Sequence, residues 1–498
     1  MTIKCLRLAS ILYLLVPNLI FFCFWTSGVT SFVGLLLCGY FLVREFSEND
    51  FESTQRGSQR DLWVLSVCAV AITCICGISG LCYQTFDYWC HNTKFYELYR
   101  YDWPIRIPGD GPVTAYYYGF YLVPALYSKM AGKISELAIF LWTFVGFLLG
   151  LSWLYIVLHK KILFVFLTLT IGDLPHVLKS IFYKIWGHLY EFGDFGVEAW
   201  SNFENSLWVP NQVIPTLIIS GMLGYALKEG IRLERMVLPV ALSFWWAVFP
   251  AFTCGLIVGI LILHKWCTRK GSFHIATAVN EVLLPCLCCA PVLVLYLSHE
   301  KPPISGFIWQ FGESMNSRAI EYSVNIGINL IVFYLGYRFL TGTDSKRLPG
   351  LPLYLILFFI AVFPLYRIGK VNDFLFRGLM PLLLIVGLYM YQHLSAPNGT
   401  LRLLTQPSKT PVRWAVAVLL AASSIIAVSR IGRAAYINKA TGELLPEHVS
   451  FVPIPYDAYA NIYEVLKARW SQTEADQYVG KQDSIYERFI APRHSYNQ

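Results

Sequence analysis

The residues best suited to chemistry lie just beyond an early apolar run. Asp87 is the first carboxylate after residues 63–82, and His91 and Asn92 follow it in the stretch Asp-Tyr-Trp-Cys-His-Asn. On a helix, Asp87 and His91 share one face, because residues four apart are neighbours there. Such a carboxylate can deprotonate an acceptor hydroxyl, and a neighbouring histidine can orient it or handle a proton. The alternative is that Asp87 caps a short helix and His91 is an ordinary interfacial residue.

A second polar group flanks the long loop of residues 173–207. Asp173 and His176 precede the loop, and Asn211 and Gln212 follow it, directly before another apolar run. Polar side chains at such a depth are costly unless they face a cavity or a partner. Asp173, His176 and Asp87 could together hold a divalent metal ion, although their spacing matches no recognised metal motif. Helix caps and interfacial polar groups explain each residue equally well, so metal dependence stays open.

A third group crowds a very short loop between two late apolar runs. Arg367, Lys370, Asn372 and Asp373 lie in the loop, and Arg377 falls about one turn into the next helix. An uncompensated charge at that position is costly in a membrane. Its partner is either Asp373, one turn earlier, or a ligand phosphate, which the planar guanidinium binds through two parallel hydrogen bonds. The additional cations favour phosphate.

The composition indicates which elements must position these groups. The chain has 498 residues, of which 56% are hydrophobic and 14% are charged, against about 25% charged in soluble domains. This balance predicts an all-α polytopic membrane protein. The net charge of +8 comes from Lys and Arg in short loops, as the positive-inside rule requires, and does not indicate nucleic-acid binding. The thirteen cysteines lie mostly in apolar runs and are interpreted as small buried hydrophobes.

The apolar runs predict about thirteen membrane spans, several of them short, tilted or broken. They lie near residues 8–26, 29–44, 62–82, 134–158, 162–173, 208–227, 236–248, 250–264, 280–297, 322–341, 350–366, 374–391 and 413–429. We expect the first to be a retained helix and not a cleaved signal peptide. The Lys and Arg residues share one side if the N-terminus is inside and if residues 115–131 are interfacial helices. Tyr-rich composition and Pro124 favour that interpretation.

This topology turns four stretches outward, residues 83–133, 173–207, 298–321 and 430–498. The last is the only sizeable polar region, and its residues 456–470 have helical spacing of apolar residues. The predicted units are an N-terminal hairpin with a cytoplasmic loop (1–61), a transmembrane module (62–429) and a small outward-facing tail (430–498).

Several short motifs resemble a known superfamily. They are Asp87 with His91-Asn92, the Pro-containing segment Tyr121–Lys129, Trp208–Gln212 and Asn372–Arg377. Together they resemble the GT-C superfamily of polytopic membrane glycosyltransferases, which includes the protein O-mannosyltransferases and the aminoarabinose transferases of lipid A. The resemblance extends from about residue 60 to residue 390. Asp87 is followed by Tyr where the O-mannosyltransferases have paired acidic residues, and the hairpin of residues 8–44 has no counterpart in the simplest members.

The resemblance implies a GT-C-like bundle with interfacial helices in the first outer loop. It also implies inverting transfer from a polyprenyl-phosphate-linked sugar to a glycan, lipid or protein hydroxyl. The site would lie on the periplasmic side of a bacterial inner membrane. Carried over, Asp87 is the general base with His91 beside it, and Arg377, Lys370 and Arg367 bind the donor phosphate. The remaining expected substrate-binding residues are Asn92, Asp173, His176, Asn211, Gln212, Asn372 and Asp373.

Three other functions compete with this one. A transporter or flippase of lipid-linked sugars should have broken helices in repeat-related positions, and the sequence has no such repeat. A polysaccharide polymerase or ligase usually has a large outer loop with Arg and His, whereas residues 173–207 contain no Arg. A non-catalytic scaffold would leave Asp87 and Arg377 in unrelated places. The glycosyltransferase hypothesis predicts instead that these two residues face one shared cavity.

Overall fold

The architecture was obtained as a computed structural model. The structure describes residues 2–48, 58–107, 109, 111–186, 199–268, 273–311, 315–340, 348–369, 372–396 and 410–493. These residues are predominantly helical, which confirms the all-α class. The strands β1 (Ser305–Phe307) and β2 (Tyr366–Ile368) pair antiparallel, with Gly306 opposite Arg367.

The described residues form the following α-helices, given in chain order. The first nine are α1 (Ile3–Phe24), α2 (Gly28–Ser47), α3 (Gln59–Ile75), α4 (Tyr88–Arg100), α5 (Gly119–Ala131), α6 (Glu136–Val157), α7 (Ile162–Leu169), α8 (Leu174–Trp186) and α9 (Asn202–Trp208). Next come α10 (Pro210–Glu229), α11 (Val237–Ser243), α12 (Val248–Thr268), α13 (Ile275–Thr277), α14 (Leu284–Tyr296), α15 (Met315–Tyr322), α16 (Ile328–Leu340), α17 (Gly350–Val362), α18 (Asp373–Gly378) and α19 (Met380–Ser395). The last are α20 (Thr410–Ala422), α21 (Ser424–Tyr436), α22 (Lys439–Leu444), α23 (Ile462–Arg469), α24 (Gln472–Asp476) and α25 (Ile485–Phe489).

Within the described residues, eight helical stretches are long and apolar enough to cross a membrane. They are Ile3–Phe24, Gly28–Ser47, Glu136–Val157, Val248–Thr268, Ile275–Tyr296, Arg318–Leu340, Asp373–Ser395 and Pro411–Tyr436. The pair α7 and α8, bent by 68°, would make a ninth. The chain is therefore a multi-pass membrane protein, but the count of thirteen spans is not confirmed. The run at 236–248, for example, forms a helix of only seven residues, about 10 Å long, whereas the hydrocarbon core is about 30 Å thick.

The segment 115–131 does not add a crossing. Its helix α5 has 13 residues and contains Pro124, so it spans only about 20 Å. Lys160, just after α6, bonds to Asp61 at the start of α3 (Nζ–Oδ2, 2.9 Å). The start of α3 and the end of α6 therefore lie on the same side of the bundle. This agrees with the side that the loop charges predict for both ends, while the direction of crossing and the interfacial position of α5 stay predictions.

Of the two helices in the N-terminal hairpin, α1 packs inside the bundle and α2 lies at its edge. In α1, Tyr13 stacks on Trp142 of α6 with ring centroids 4.1 Å apart, and the Asn18 amide donates to the Leu242 carbonyl of α11 (2.9 Å). By contrast, α2 exposes apolar side chains, among them Val29 and Val43. An exposed apolar helix face is expected where lipid takes the place of water. Thus α1 belongs to the protein core and α2 to its lipid-facing rim.

The stretches predicted to face outward meet at one end of the bundle. The Tyr83 amide donates to the Ile437 carbonyl (3.1 Å), and the Lys481 amide donates to the Ser298 carbonyl (2.6 Å). The Thr85 hydroxyl donates to the Leu207 carbonyl (3.1 Å). These bonds join the loop after α3, the loop before β1, the end of α9 and the C-terminal segment. Their meeting confirms that the four stretches share a side, and this is where the candidate site lies.

Candidate active site

A tight turn after α3 brings Asp87 back over the bundle. Gly77 has a positive φ of 80°, and a Cβ there would lie 2.6 Å from the Tyr83 carbonyl oxygen. Only glycine combines that backbone conformation with so close an approach. Asp87 then begins α4, and its backbone carbonyl accepts from the amides of Cys90 (2.9 Å) and His91 (3.0 Å). Its side chain makes no cap hydrogen bond, so the carboxylate is not used as a helix cap.

Asp87 interacts with Asp373 and Arg377, which lie nearly three hundred positions later in the sequence. Burial raises the pKa of the Asp87 carboxyl to about 6, while Arg377 and Lys94 lower it and Asp373 raises it. These interactions put the other three side chains within electrostatic reach of Asp87. We call this group the Asp87 cluster (Asp87, Lys94, Asp373 and Arg377). Asp87 and Arg377 therefore interact, and the shared cavity that the sequence predicts for them stays a prediction.

The Arg377 side chain has a protein partner. Its guanidinium forms an ion pair with Asp373, one turn earlier on α18. Asn372 precedes the helix with a left-handed φ of 55°, and its Oδ1 accepts from the Leu375 amide (3.3 Å). Gly369 leaves room for the Asp373 carboxylate, because a Cβ there would lie 2.7 Å from Oδ2. Asp373 is therefore the protein partner of Arg377, as one of the two alternatives expects. One carboxylate oxygen occupies only part of the guanidinium, and its two other edges remain available to a ligand.

Lys94 also belongs to the site, although the sequence motif of Asp87, His91 and Asn92 does not include it. It is 1% exposed, its Nζ donates to the Tyr116 hydroxyl (3.0 Å), and it lies 4.5 Å from the Tyr121 ring centroid and 4.7 Å from that of Tyr116. Aromatic faces stabilise a desolvated ammonium. Burial nevertheless lowers the Lys94 pKa to about 8. The spacing Asp87, His91, Lys94 (i, i+4, i+7), together with the Tyr116–Tyr118 run, is the sequence signal for this arrangement.

His91 is held on both ring nitrogens. Nδ1 is 2.6 Å from the Tyr121 hydroxyl and Nε2 is 2.7 Å from the Trp208 carbonyl oxygen. Burial, followed by Lys94, lowers the His91 pKa well below its usual value. The imidazole is therefore neutral at pH 7, with Nε2–H donating to Trp208 and the Tyr121 hydroxyl donating to Nδ1. This fixed ring positions α4 against the end of α9.

The start of α10 reaches the same region through Tyr117. The Gln212 amide donates to the Tyr117 hydroxyl (3.0 Å), and Tyr117 interacts electrostatically with Arg377, Asp373 and Asp87. Within the part of the chain that the structure describes, Asn211 Oδ1 and Gln212 Oε1 are buried acceptors without a hydrogen-bond donor. Buried acceptors of this kind usually bind water or a ligand.

The C-terminal segment closes the site from the other side. Asn92 donates to the Ile454 carbonyl (2.6 Å), and the buried Glu97 carboxylate accepts from the Ile462 amide (2.7 Å). The Tyr478 ring packs at a tilt against Tyr116 (centroids 4.6 Å apart), and Tyr478 interacts electrostatically with Arg377 and Asp373. The predicted tail is therefore a structural part of the site. Its helix is shorter than predicted, since α23 begins at Ile462, and residues 430–436 still belong to α21.

Burial of the Glu97 carboxyl predicts that the stability of the protein depends on pH. Burial raises its pKa to about 7, above about 4.3 in an unfolded chain. The neutral form is thus favoured in the fold, so its stabilisation is complete below pH ~4.3 and is lost as the pH rises through ~7. Glu97→Gln keeps an oxygen acceptor for the Ile462 amide without the charge. We expect thermal unfolding of the detergent-solubilised variant to lose less stability than wild type between pH 5 and pH 8. Equal losses in both proteins would contradict this assignment.

The remaining predicted residues lie outside the Asp87 cluster. Asp173 is fully buried and accepts from the Ser201 amide (2.7 Å) and hydroxyl (2.5 Å), and His176 lies 6.3 Å from the Trp200 ring centroid. Arg367 donates to the Gly369 carbonyl (2.9 Å) and packs on Phe311 (4.6 Å). Lys370 lies outside the described residues.

The arrangement does not bring the three suggested metal ligands together. Among the described ranges, no group of three His, Cys, Asp or Glu side chains is placed to hold a metal ion. Asp173 is committed to Ser201, while Asp87 belongs to the cluster with Arg377. A site formed by Asp87, Asp173 and His176 is therefore not supported by the geometry.

No family model, no curated protein and no solved structure matches the chain.

Proposed function

We propose that the chain is a GT-C-type membrane glycosyltransferase. It transfers a sugar from a polyprenyl-phosphate donor to an acceptor hydroxyl. One observation carries this proposal. The Asp87 carboxyl is partly buried, its pKa is raised to about 6, and it lies within electrostatic reach of Arg377. A base and a cation at one place are what transfer from a phosphate-linked sugar needs.

Asp87 is the proposed general base. With a pKa of about 6 it is largely ionised at pH 7 and is still more basic than an exposed carboxylate. A base whose pKa lies close to the working pH combines the correct protonation state with good driving force. His91, neutral and bonded at both nitrogens, acts in this proposal by orienting α4.

Arg377 and Lys94 are the proposed cations for the leaving phosphate. As the acceptor oxygen bonds to the anomeric carbon, the bond from that carbon to the phosphate oxygen breaks, and the phosphate keeps the electron pair. The acceptor proton passes to Asp87. Two cations near the departing oxygen stabilise the charge that develops there. The Asp87 cluster contains two carboxylates and two cations. The charges of its deprotonating and phosphate-binding groups therefore cancel before the substrate binds.

The location and the partners are part of the same proposal. The donor's polyprenyl chain would lie between helices, with its phosphate at the interface. The site is proposed to face the periplasm across a bacterial inner membrane, and the acceptor is a glycan, a lipid or a protein.

The lipids of cells that lack the protein test this proposal. We expect mass spectrometry to detect accumulated polyprenyl-phosphate sugar and the loss of one glycan modification. The accumulated lipid should be accessible to a membrane-impermeant oxidant from the outer side. Accumulation restricted to the inner side would indicate a flippase instead, and unchanged lipids and glycans would refute the transfer reaction.

A further inference from the structure

A small pocket lies at the end of the last apolar span, apart from the Asp87 cluster. Its volume is about 60 Å³, and its walls include Arg430 and Arg433 of α21 opposite Tyr83, Thr85, Leu207 and Trp208. Pockets that enclose a whole small molecule measure roughly 300–1,000 Å³. This one has room for a group of a few heavy atoms and suits the head of a larger molecule that remains outside.

The two arginines differ in what holds them. Arg430 is fixed by Glu204, whose carboxylate oxygens lie 3.0 and 2.8 Å from its Nε and Nη2. The Arg433 guanidinium lies 4.1 Å from the Tyr83 ring centroid, and no carboxylate of the described residues lies within ion-pair distance of it. Stacking on a ring leaves the N–H groups at the guanidinium edge free to donate. The pocket thus has one excess positive charge and a fork of donors suited to a phosphate.

The face of α21 that carries Arg433 is the face that lipid would cover. Ile425, Ser429, Arg433 and Tyr436 follow one another at steps of four, four and three residues and are all exposed, so they form one stripe. Ile425 and Tyr436 are 55% and 56% exposed, and the apolar span ends at Tyr436. Arg and Tyr at the end of a span lie at the level of lipid headgroups.

We propose that this pocket binds the phosphate ester of a membrane lipid, with Arg433 as its main ligand and Arg430 as the second wall. The phosphate of a phospholipid and that of a polyprenyl phosphate share this chemistry. The pocket adjoins the candidate active site, because the Trp208 carbonyl bonds to His91 and Thr85 is two residues before Asp87. The proposal nevertheless holds for a membrane protein of any function, so its failure would leave the glycosyltransferase proposal untouched.

Binding by the full-length protein in detergent tests this site. Native mass spectrometry would follow titration with phosphatidylglycerol, with a short-chain polyprenyl phosphate and with inorganic phosphate. We expect lipid binding to fall about tenfold or more in Arg433→Ala, the loss of a charge-assisted contact, and less in Arg433→Lys, which keeps the charge. A stronger effect on one lipid identifies which lipid is bound.

The control is Arg488→Ala, an exposed arginine of the C-terminal segment that lies 3.8 Å from Asp483 and outside the pocket. It should bind both lipids like wild type, and thermal unfolding should show that each variant is folded. Unchanged lipid binding in Arg433→Ala, an equal loss in Arg488→Ala, or binding of inorganic phosphate without either lipid would overturn the proposal.

Discussion

Asp87→Asn should lower sugar transfer by about 10²–10⁴-fold, the contribution usually made by a positioned general base. The substitution keeps the shape of the side chain and removes only its ability to take the acceptor proton. The carboxylate makes no cap hydrogen bond to α4, so the helix should form as before. Donor binding should be retained, because Arg377 and Lys94 lose an acidic neighbour and not a ligand. Complementation of cells that lack the protein measures transfer, and lipid titration measures binding.

Asp102→Asn is the matched control, since Asp102 lies on the same outer segment and is exposed. It should transfer sugar at the wild-type rate. Retained transfer in Asp87→Asn would move the base elsewhere, and a loss of folded protein would show that Asp87 is a structural residue.

The rate of transfer should also depend on pH in a defined direction. Because burial raises the Asp87 pKa to about 6, the base is protonated below that value and ionised above it. We expect transfer in wild type to fall about tenfold per pH unit below pH ~6 and to level off between that value and about pH 8, where Lys94 begins to lose its charge. Asp87→Asn should lose this limb. A profile that levels off already at pH 4 would indicate an ordinary exposed carboxylate.

Arg235→Met should reduce the stability of the protein by about 3–5 kcal/mol, the usual cost of removing one member of a buried ion pair. At the opposite end from the candidate site, Arg235 is 2% exposed. It lies 2.7 Å from Glu48 and 3.3 Å from Glu281. Arg7 pairs with Glu45 (2.7 Å), and Arg44 pairs with Glu48 and Glu281. Removing Arg235 leaves three carboxylates against two arginines in this cluster.

The measurement is thermal or denaturant unfolding in detergent, compared with Lys301→Met as control. Lys301 pairs with Asp476 at 2.7 Å, but its side chain is largely exposed, and exposed pairs add little to stability. We expect a clear fall in the unfolding midpoint for Arg235→Met alone. A midpoint equal to that of the control would contradict the prediction. It would show that the packing of methionine stabilises the protein as much as the ion pairs of Arg235 do, as happens when apolar side chains replace buried charges.

Sequence patterns located the individual parts of the candidate site but not all of their partners. Asp87 and Arg377 were identifiable because a charge next to an apolar run is costly and needs a reason. Lys94 was less visible, because its tyrosine cage comes from a separate segment, and Tyr478 lies in a polar region without a motif. Asp173 and Asp87 occupy similar positions in the sequence, each at the end of an apolar run. The Asp173 carboxylate, however, accepts hydrogen bonds from the Ser201 amide and hydroxyl. Local spacing does not indicate which long-range partner a buried carboxylate will find.

The sequence by itself determined that this is a helical, multi-pass membrane protein, and it determined which loops share a side. Both follow from quantities that add up along the chain, the hydrophobicity of a run and the sign of loop charges. Only the tertiary structure decided that Arg377 pairs with Asp373 while remaining near Asp87. It also decided that the C-terminal segment closes over α4, and that some apolar runs form helices too short to span. These outcomes depend on the packing of segments far apart in sequence, where burial and the pairing of charges are settled together.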